Sequence, residues 1–163
     1  MSNYGLNTSY LQDLCQRILP SFSKVVSSDT ISRAFPNFNK TRSAIVNTSE
    51  HIYPHGHWVS LKFIKPKNLF MFYDSYGFPP NLYPSIQEYL NQSGKRVRWF
   101  QRRIQSNSSL SCGYFCVGFL LALERGMRTS TYFKLFNKTG QDLNINDEIV
   151  CDFIKACVAD SAS

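Results

Sequence analysis

The feature that most constrains the fold is an almost unbroken apolar segment from Cys112 to Glu124, with the sequence CGYFCVGFLLALE. A helix that is apolar on all sides has to be covered by other elements, so this segment predicts a buried helix that ends near Gly126. The chain of 163 residues is long enough for one domain that provides this cover. No apolar run approaches the ~20 residues of a membrane span.

The remaining segments predict a mixed sheet with further helices. Alternating or β-branched runs indicate strands over residues 22–26, 43–48, 57–64, 68–75 and 96–104. Helical patterns begin at the predicted N-cap Ser9, at Pro84 and at the predicted N-cap Asn146. We therefore predict a single α+β domain over residues 1–163, with a central mixed β-sheet flanked by helices.

Two of these strands, 57–64 and 68–75, form a predicted hairpin joined by Lys65-Pro66-Lys67. In an antiparallel pair, His57 at the start of one strand and Asp74 at the end of the other come to the same end of the ladder. A carboxylate there can accept a hydrogen bond from one imidazole nitrogen while the other nitrogen faces a nucleophile.

Cys112 is the candidate nucleophile because it opens the buried helix. Free N–H groups at a helix start and a nearby imidazolium both lower the pKa of a thiol, and Gly113 leaves the next position without side-chain bulk. Gln105, seven residues before Cys112, can add its amide N–H to an oxyanion hole. With His57 and Asp74, these residues are the types that a thiol protease needs, although each type is common in proteins.

The order and spacing of these residues resemble adenain, the cysteine endopeptidase of adenoviruses and related DNA viruses. The matching segments are His57-Trp58, Tyr73-Asp74-Ser75-Tyr76-Gly77-Phe78, Gln105 and Cys112-Gly113-Tyr114-Phe115-Cys116. The resemblance covers about residues 20–125 and extends more distantly to the ubiquitin-like-protein proteases of the same clan. It implies their cysteine-protease fold.

The resemblance also implies a role for each residue. Cys112 would be the nucleophile, His57 the general base and later the acid, Asp74 the orienting carboxylate, and Gln105 the oxyanion donor. The family needs no cofactor for this chemistry.

Trp58 and Gly113 would border a narrow substrate groove, because the family cuts after glycine at Gly-Gly or Gly-x-Gly sites. Trp58 equally fits a simple core aromatic. The implied substrates are viral capsid and core precursor proteins, cleaved during maturation in the virion and the host cell nucleus. A deubiquitinating or deSUMOylating protease, and a nucleic-acid-binding scaffold with an inactive protease site, remain as alternatives.

Positive charge is concentrated before the candidate nucleophile. Residues 1–111 carry 13 Lys and Arg against 5 Asp and Glu, whereas residues 112–163 carry 5 against 6, and the whole chain has a net charge of +7. The densest cluster consists of Lys95, Arg96, Arg98, Arg102 and Arg103. Such a cluster fits a polyanion or a strand edge kept soluble by its charges, and the resemblance favours DNA, an activator in the family.

A viral peptide is the family's other activator, and it forms a disulfide with a cysteine upstream of the glutamine. Residues 95–104 contain no cysteine, which speaks against such a linkage. No metal is expected, because His51, His55 and His57 match no common zinc spacing. Cys112 and Cys116 also lack the CxxC spacing of a redox pair.

The N-terminus and the cysteines predict an intracellular protein. The first five residues, MSNYG, are polar and lack the basic region and apolar block of a secretory signal. The five cysteines are odd in number and are expected to be reduced thiols. We expect a monomer without membrane association.

Overall fold

A computed structural model of the chain describes residues 7–49 and 56–161. Its centre is a sheet of five strands: β1 (Phe22–Ser27), β2 (Arg42–Asn47), β3 (Trp58–Ile64), β4 (Leu69–Tyr73) and β5 (Arg96–Trp99). The strands lie in the order β1-β2-β3-β4-β5. The outer pairs β1–β2 and β4–β5 are parallel, and the inner pairs β2–β3 and β3–β4 are antiparallel. The predicted mixed sheet is confirmed.

Five helices accompany the sheet: α1 (Thr8–Ile18), α2 (Pro84–Ser93), α3 (Cys112–Glu124), α4 (Thr129–Phe133) and α5 (Asn146–Ser161). Four of them correspond to predicted helices. The short α4 was not predicted, because five residues do not complete enough turns to show a helical period. Within the described ranges, no helix combines the length and the apolarity needed to cross a membrane.

The sheet separates two apolar cores. On one face, α1, α3, α4 and α5 cover sheet residues such as Ile45, Met71 and Tyr73. On the other face, α2 and residues 31–35 cover side chains such as Leu61 and Phe70. A sheet buried on both faces holds the ends of its central strands in fixed positions.

Helix α3 lies in the first core, as its composition predicts, and nine of its thirteen residues are buried. Gly118 permits this close packing. A Cβ atom there would lie 2.7 Å from both the Tyr132 hydroxyl oxygen and a Val150 methyl group. Any side chain at this position would therefore push α4 and α5 away from α3.

The central hairpin pairs β3 with β4 in the predicted antiparallel sense. A 3-10 helix over Lys65–Lys67 joins the strands, and Asn68 follows it in the left-handed conformation with φ 49°. Asn and Asp tolerate the left-handed conformation better than most other residues with a side chain. Ser60 pairs with Tyr73, so the residues before β3 and after β4 meet at one edge of the sheet.

Two predicted helix starts are wrong. The N-cap of α1 is Asn7 rather than Ser9, and the Asn7 side chain accepts a hydrogen bond from the Tyr10 N–H at 2.8 Å. Asn146 is the first residue of α5 rather than its preceding cap, and its side-chain amide makes tertiary contacts instead.

The predicted strand 96–104 ends at Trp99, where its pairing with β4 stops. The chain then turns toward the candidate site. The N–H groups of Ile104 and Gln105 both donate to the Ser75 carbonyl oxygen, at 3.0 and 3.1 Å. These bonds replace a continued ladder and hold the end of this segment against the turn after β4.

Candidate active site

His57 and Asp74 lie side by side at the edge of the central hairpin. His57 directly precedes β3, Asp74 directly follows β4, and the His57 Nε2 to Asp74 Oδ1 distance is 2.7 Å. The Asp74 side chain is fully buried, whereas 16% of the His57 side chain is exposed. The strand geometry thus gives the imidazole a fixed partner and leaves part of the ring accessible.

Both carboxylate oxygens of Asp74 are satisfied. Oδ1 also accepts from the backbone N–H of Tyr76 at 2.8 Å, and Oδ2 accepts a short hydrogen bond from the Tyr83 hydroxyl. Burial and the bond to Asp74 raise the pKa of Tyr83 well above its ordinary value, so this hydroxyl remains a donor. Nothing in the local pattern singles out Tyr83, which lies nine residues after Asp74 and reaches it only through the turn before α2.

Cys112 is the first residue of α3 and is half-buried. Its side chain lies close enough to the imidazole to raise the pKa of His57. Because Nε2 of the ring faces Asp74, Nδ1 is the nitrogen left for the sulfur. Burial lowers the pKa of His57, but hydrogen bonds to Asp74 and Cys112, with the negative charges of the carboxylate and the thiolate, outweigh burial and raise it to about 9. The arrangement therefore favours an imidazolium between two acidic groups.

Two other cysteines in the same core have a different environment. Cys116 lies one turn further along α3 and is 3% exposed, and Cys15 is fully buried. Burial raises the pKa of Cys116 well above its ordinary value and that of Cys15 to about 12. These two thiols stay neutral near pH 7 and act as packing residues, as predicted.

The turn after Asp74 packs against the imidazole. The Tyr76 ring lies on His57 with a centroid distance of 4.6 Å, and the Arg103 guanidinium lies 5.7 Å from the centroid of the same tyrosine ring. Gly77 has φ 79°, and a Cβ there would lie 3.0 Å from the Arg103 backbone nitrogen. Only glycine combines this conformation with such a close approach.

Gln105 is 1% exposed and is held at both ends of its amide. Its Oε1 accepts from the Ser75 hydroxyl, and its Nε2 donates to the Ser109 carbonyl oxygen at 3.1 Å. An amide nitrogen carries two hydrogens, and the described residues provide an acceptor for one of them. The second N–H remains available as a donor.

The loop from Ile104 to Ser111 is attached to the start of α5. Asn146 donates to the Ile104 carbonyl oxygen at 2.8 Å, and Asp147 accepts from the hydroxyls of Ser109 and Ser111 at 2.8 and 3.2 Å. These partners are 36 to 42 positions apart in sequence, so sequence reasoning missed them. The only sequence signal is the density of Ser, Asn and Asp residues in both segments.

The two predicted groove residues lie against the core. Trp58 is 8% exposed and belongs to the core around α3, as the core-aromatic alternative requires. Gly113 is buried in the first turn of α3. His51 and His55 lie outside the described residues, and the described part of the chain contains no metal-like group of three His, Cys, Asp or Glu residues.

Two cations of the predicted DNA-binding cluster pack against different cores. Lys95 places its ammonium 4.9 Å from the Phe38 ring in the core around α2, whereas Arg98 stacks on Phe100, which packs in the core around α3. Arg103 is drawn to the candidate site. Of the cluster, β5 carries Arg96 and Arg98, and DNA binding by Lys95, Arg96, Arg98, Arg102 and Arg103 stays a prediction.

Comparison with known proteins gives a result at the level of structure. No protein-family model and no curated protein sequence matches the chain. The pS273R protease of ASFV matches with a TM-score of 0.55 and 12% identity over 91% of this chain and 68% of that protein. The SUMO protease Ulp1, in a structure with its catalytic cysteine oxidised to a sulfinic acid, matches with a TM-score of 0.52 and 11% identity over 94% of this chain and 78% of that chain. The fold is that of Ulp1-like cysteine proteases.

ChlaDub1 from Chlamydia trachomatis extends this comparison. It matches with a TM-score of 0.51 and 16% identity over 98% of this chain and 82% of that chain. The predicted fold of the adenain and ubiquitin-like-protein protease type is therefore confirmed. Function has to be argued from the site itself, because one fold can support more than one activity.

Proposed function

We propose that this chain is a cysteine protease with Cys112 as its nucleophile. The observation that carries the proposal is the arrangement of His57, which bonds to the buried Asp74 at 2.7 Å and lies close enough to Cys112 for that side chain to raise its pKa. A nucleophile, a base and an orienting acceptor within hydrogen-bond reach are the elements of covalent acyl transfer. They occur here in the Ulp1-like fold.

In the proposed reaction, the sulfur of Cys112 attacks the carbonyl carbon of the scissile peptide bond after its proton has passed to His57. The imidazolium then protonates the departing amine, and the C–N bond breaks to leave a thioester on Cys112. Water attacks the thioester with His57 again acting as base, which releases the carboxylate product and restores the thiol. Asp74 keeps the imidazole oriented throughout.

The oxyanion of each tetrahedral intermediate needs donors that are already in place. We assign this role to the second N–H of Gln105 and to the backbone N–H of Cys112. Ser75 and Ser109 hold the Gln105 amide, so the donor needs no reorientation when charge develops. Removal of one such donor typically costs about 10²–10³ in kcat.

The proposed substrates are polypeptides cut after glycine. Viral capsid and core precursors are our first assignment, with cleavage in the virion and the host cell nucleus. Ubiquitin-like conjugates are equally consistent, because the structural relatives include a SUMO protease as well as a viral protease. Trp58 and Gly113 would border the substrate groove in both cases.

A test of the chemistry compares Cys112→Ala with the matched variant Cys151→Ala, in which a half-buried cysteine of α5 is removed. We expect cleavage of a Gly-Gly reporter by the wild type and by Cys151→Ala, and none by Cys112→Ala. Near-normal turnover by Cys112→Ala would refute the proposal. Iodoacetamide at neutral pH should modify Cys112 first, and an inert Cys112 would favour the inactive-scaffold alternative.

Parallel assays distinguish ubiquitin-like conjugates from viral precursors as substrates. They compare the aminomethylcoumarin derivatives of ubiquitin and SUMO with a viral Gly-Gly-x peptide. DNA stimulation through the cluster 95–103 is a further part of the proposal. Duplex DNA should raise turnover, and the effect should fall steeply with salt because phosphate contacts release counterions. A flat response to salt would remove DNA from the proposal.

A further inference from the structure

A basic cleft lies next to the candidate site. It has a volume of about 300 Å³ and runs between residues 101–104 and the region 130–139, which includes the end of α4. This volume lies at the lower end of the range of small-molecule sites. The charged side chains that line it are all basic: Arg102, Arg103, Lys134 and Lys138.

Three of these cations have no protein partner among the described residues. Arg102, Lys134 and Lys138 are exposed, and none of their side chains makes a hydrogen bond or an ion pair there. The nearest acid along the chain to Lys138, Asp142, does not line the cleft and accepts from the Asn144 N–H at 2.9 Å. Like charges that face one cavity repel each other, and the attraction of each cation to a bound anion would offset this repulsion.

The fourth cation, Arg103, is held in place. Its Nε donates to the Gln105 carbonyl oxygen at 3.1 Å, one Nη donates to the Asn107 side chain, and the guanidinium lies on the Tyr76 ring. Arg103 therefore contributes a fixed positive charge to the cleft. Ser130 and Thr139, which both carry hydroxyl groups, line the opposite wall.

We propose that this cleft binds a compact, multiply charged phosphate anion. Arg102 on one wall and Lys134 and Lys138 on the other would supply charge-assisted hydrogen bonds, which are the stronger kind. The phosphate groups of a short polyphosphate fit a cavity of about 300 Å³, whereas a nucleic-acid duplex is wider and could insert only single backbone phosphates. The proposal goes beyond the protease function and does not depend on Cys112 or His57.

The test uses the full chain with inorganic tripolyphosphate, measured by calorimetry and thermal unfolding. At about a hundred times Kd, the Tm should rise by on the order of 5 °C over sodium chloride of equal ionic strength. The double variant Lys134→Gln/Lys138→Gln should bind about tenfold or more weakly. The matched variant Lys24→Gln/Lys40→Gln removes the same charge at exposed positions outside the cleft and should bind like the wild type.

The outcomes separate the alternatives. The proposal would be overturned if tripolyphosphate did not raise the Tm. It would also be overturned if both double variants bound tripolyphosphate equally weakly, because binding would then depend on net charge alone. A third arm titrates a short DNA duplex against bound tripolyphosphate. If the duplex binds through Lys134 and Lys138 at a lower phosphate concentration than tripolyphosphate, the cleft is a nucleic-acid contact and the small-anion assignment is wrong.

Discussion

Replacement of Asp74 by Asn tests the electrostatic basis of the candidate site. The substitution keeps the size of the side chain but removes the charge that lies 2.7 Å from His57. Burial alone lowers the pKa of His57, and the hydrogen bonds and charges of Asp74 and Cys112 raise it to about 9. Without the Asp74 charge, the effect of burial is offset less, so the pKa of His57 should fall.

The structure gives the size of the effect. The difference between the ordinary value of 6.5 and about 9 for the pKa of His57 corresponds to about 3 kcal/mol in favour of the imidazolium. This stabilisation is fully present below pH 6.5 and is lost as the pH rises through about 9. Since Asp74 supplies one of the two hydrogen bonds and one of the two charges, we expect Asp74→Asn to lower the pKa by about 1–2 pH units.

The assay is the pH profile of kcat/KM on a glycine-ending fluorogenic peptide, together with the rate at which iodoacetamide alkylates Cys112. The alkaline limb should move down from about pH 9, with a loss of about tenfold at pH 8.5 from titration alone. The matched control is Asp13→Asn, since Asp13 is exposed on α1. This control should leave the profile unchanged.

A second variant separates charge from packing. Tyr83→Phe keeps the Asp74 charge but leaves the buried Oδ2 without its donor, which should cost about 1–3 kcal/mol of stability while the alkaline limb stays near pH 9. If Asp74→Asn folds and its alkaline limb coincides with that of the wild type, the reasoning is refuted. It is also refuted if Tyr83→Phe moves the limb as far as Asp74→Asn does.

Three stability predictions can be checked by urea unfolding. Gly77→Ala should cost about 2–4 kcal/mol, because φ is 79° and the new Cβ would lie 3.0 Å from backbone. Gly94→Ala should cost only about 1–2 kcal/mol, since φ is 68° but nothing lies within 4 Å, and equal losses would contradict the clash. Asn146→Ala should cost about 2–4 kcal/mol, because the fully buried amide makes three hydrogen bonds to backbone groups, and a loss below about 0.5 kcal/mol would show that these bonds contribute little. Burial raises the pKa of Glu124, but hydrogen bonds from Ser21 and Lys62 outweigh burial and hold this pKa below 4.5. The wild type should therefore be more stable than Glu124→Gln near neutral pH and should lose this extra stability as the pH falls below 4.5. A stability difference that does not depend on pH would show that the Glu124 charge is not its cause.

Local patterns in the sequence predicted the elements that carry the candidate residues. The apolar composition of α3 predicted a buried helix with Cys112 at its start, and the hairpin rule predicted that His57 and Asp74 would meet. Both are features of one segment or of two adjacent segments. A period of two or of 3.6 residues contains this information without any knowledge of the rest of the chain.

Contacts between distant segments were outside the reach of the same reasoning. The Tyr83 hydroxyl on Asp74 and the Asn146 amide on Ile104 depend on the three-dimensional path of the chain, and neither leaves a periodic signal. The end of β5 at Trp99 was missed because a strand stops where its partner stops, and the sequence shows only that the following residues alternate. Proximity along the chain also could not show that Lys95 and Arg98 of the basic cluster pack against different cores.

The burial of α3 also determines how this helix unfolds. Amide protons in the middle of this helix, between Cys116 and Ala122, are enclosed by the sheet, α1, α4 and α5. Segments of this kind exchange their hydrogens only when the whole cooperative unit unfolds. Cys112 is attached to such a segment, so mild heat or denaturant will not release the thiol by local fraying beyond the first turn. The loop that holds Gln105 is attached differently, because its contacts with α5 include side-chain hydrogen bonds that can open without unfolding the core.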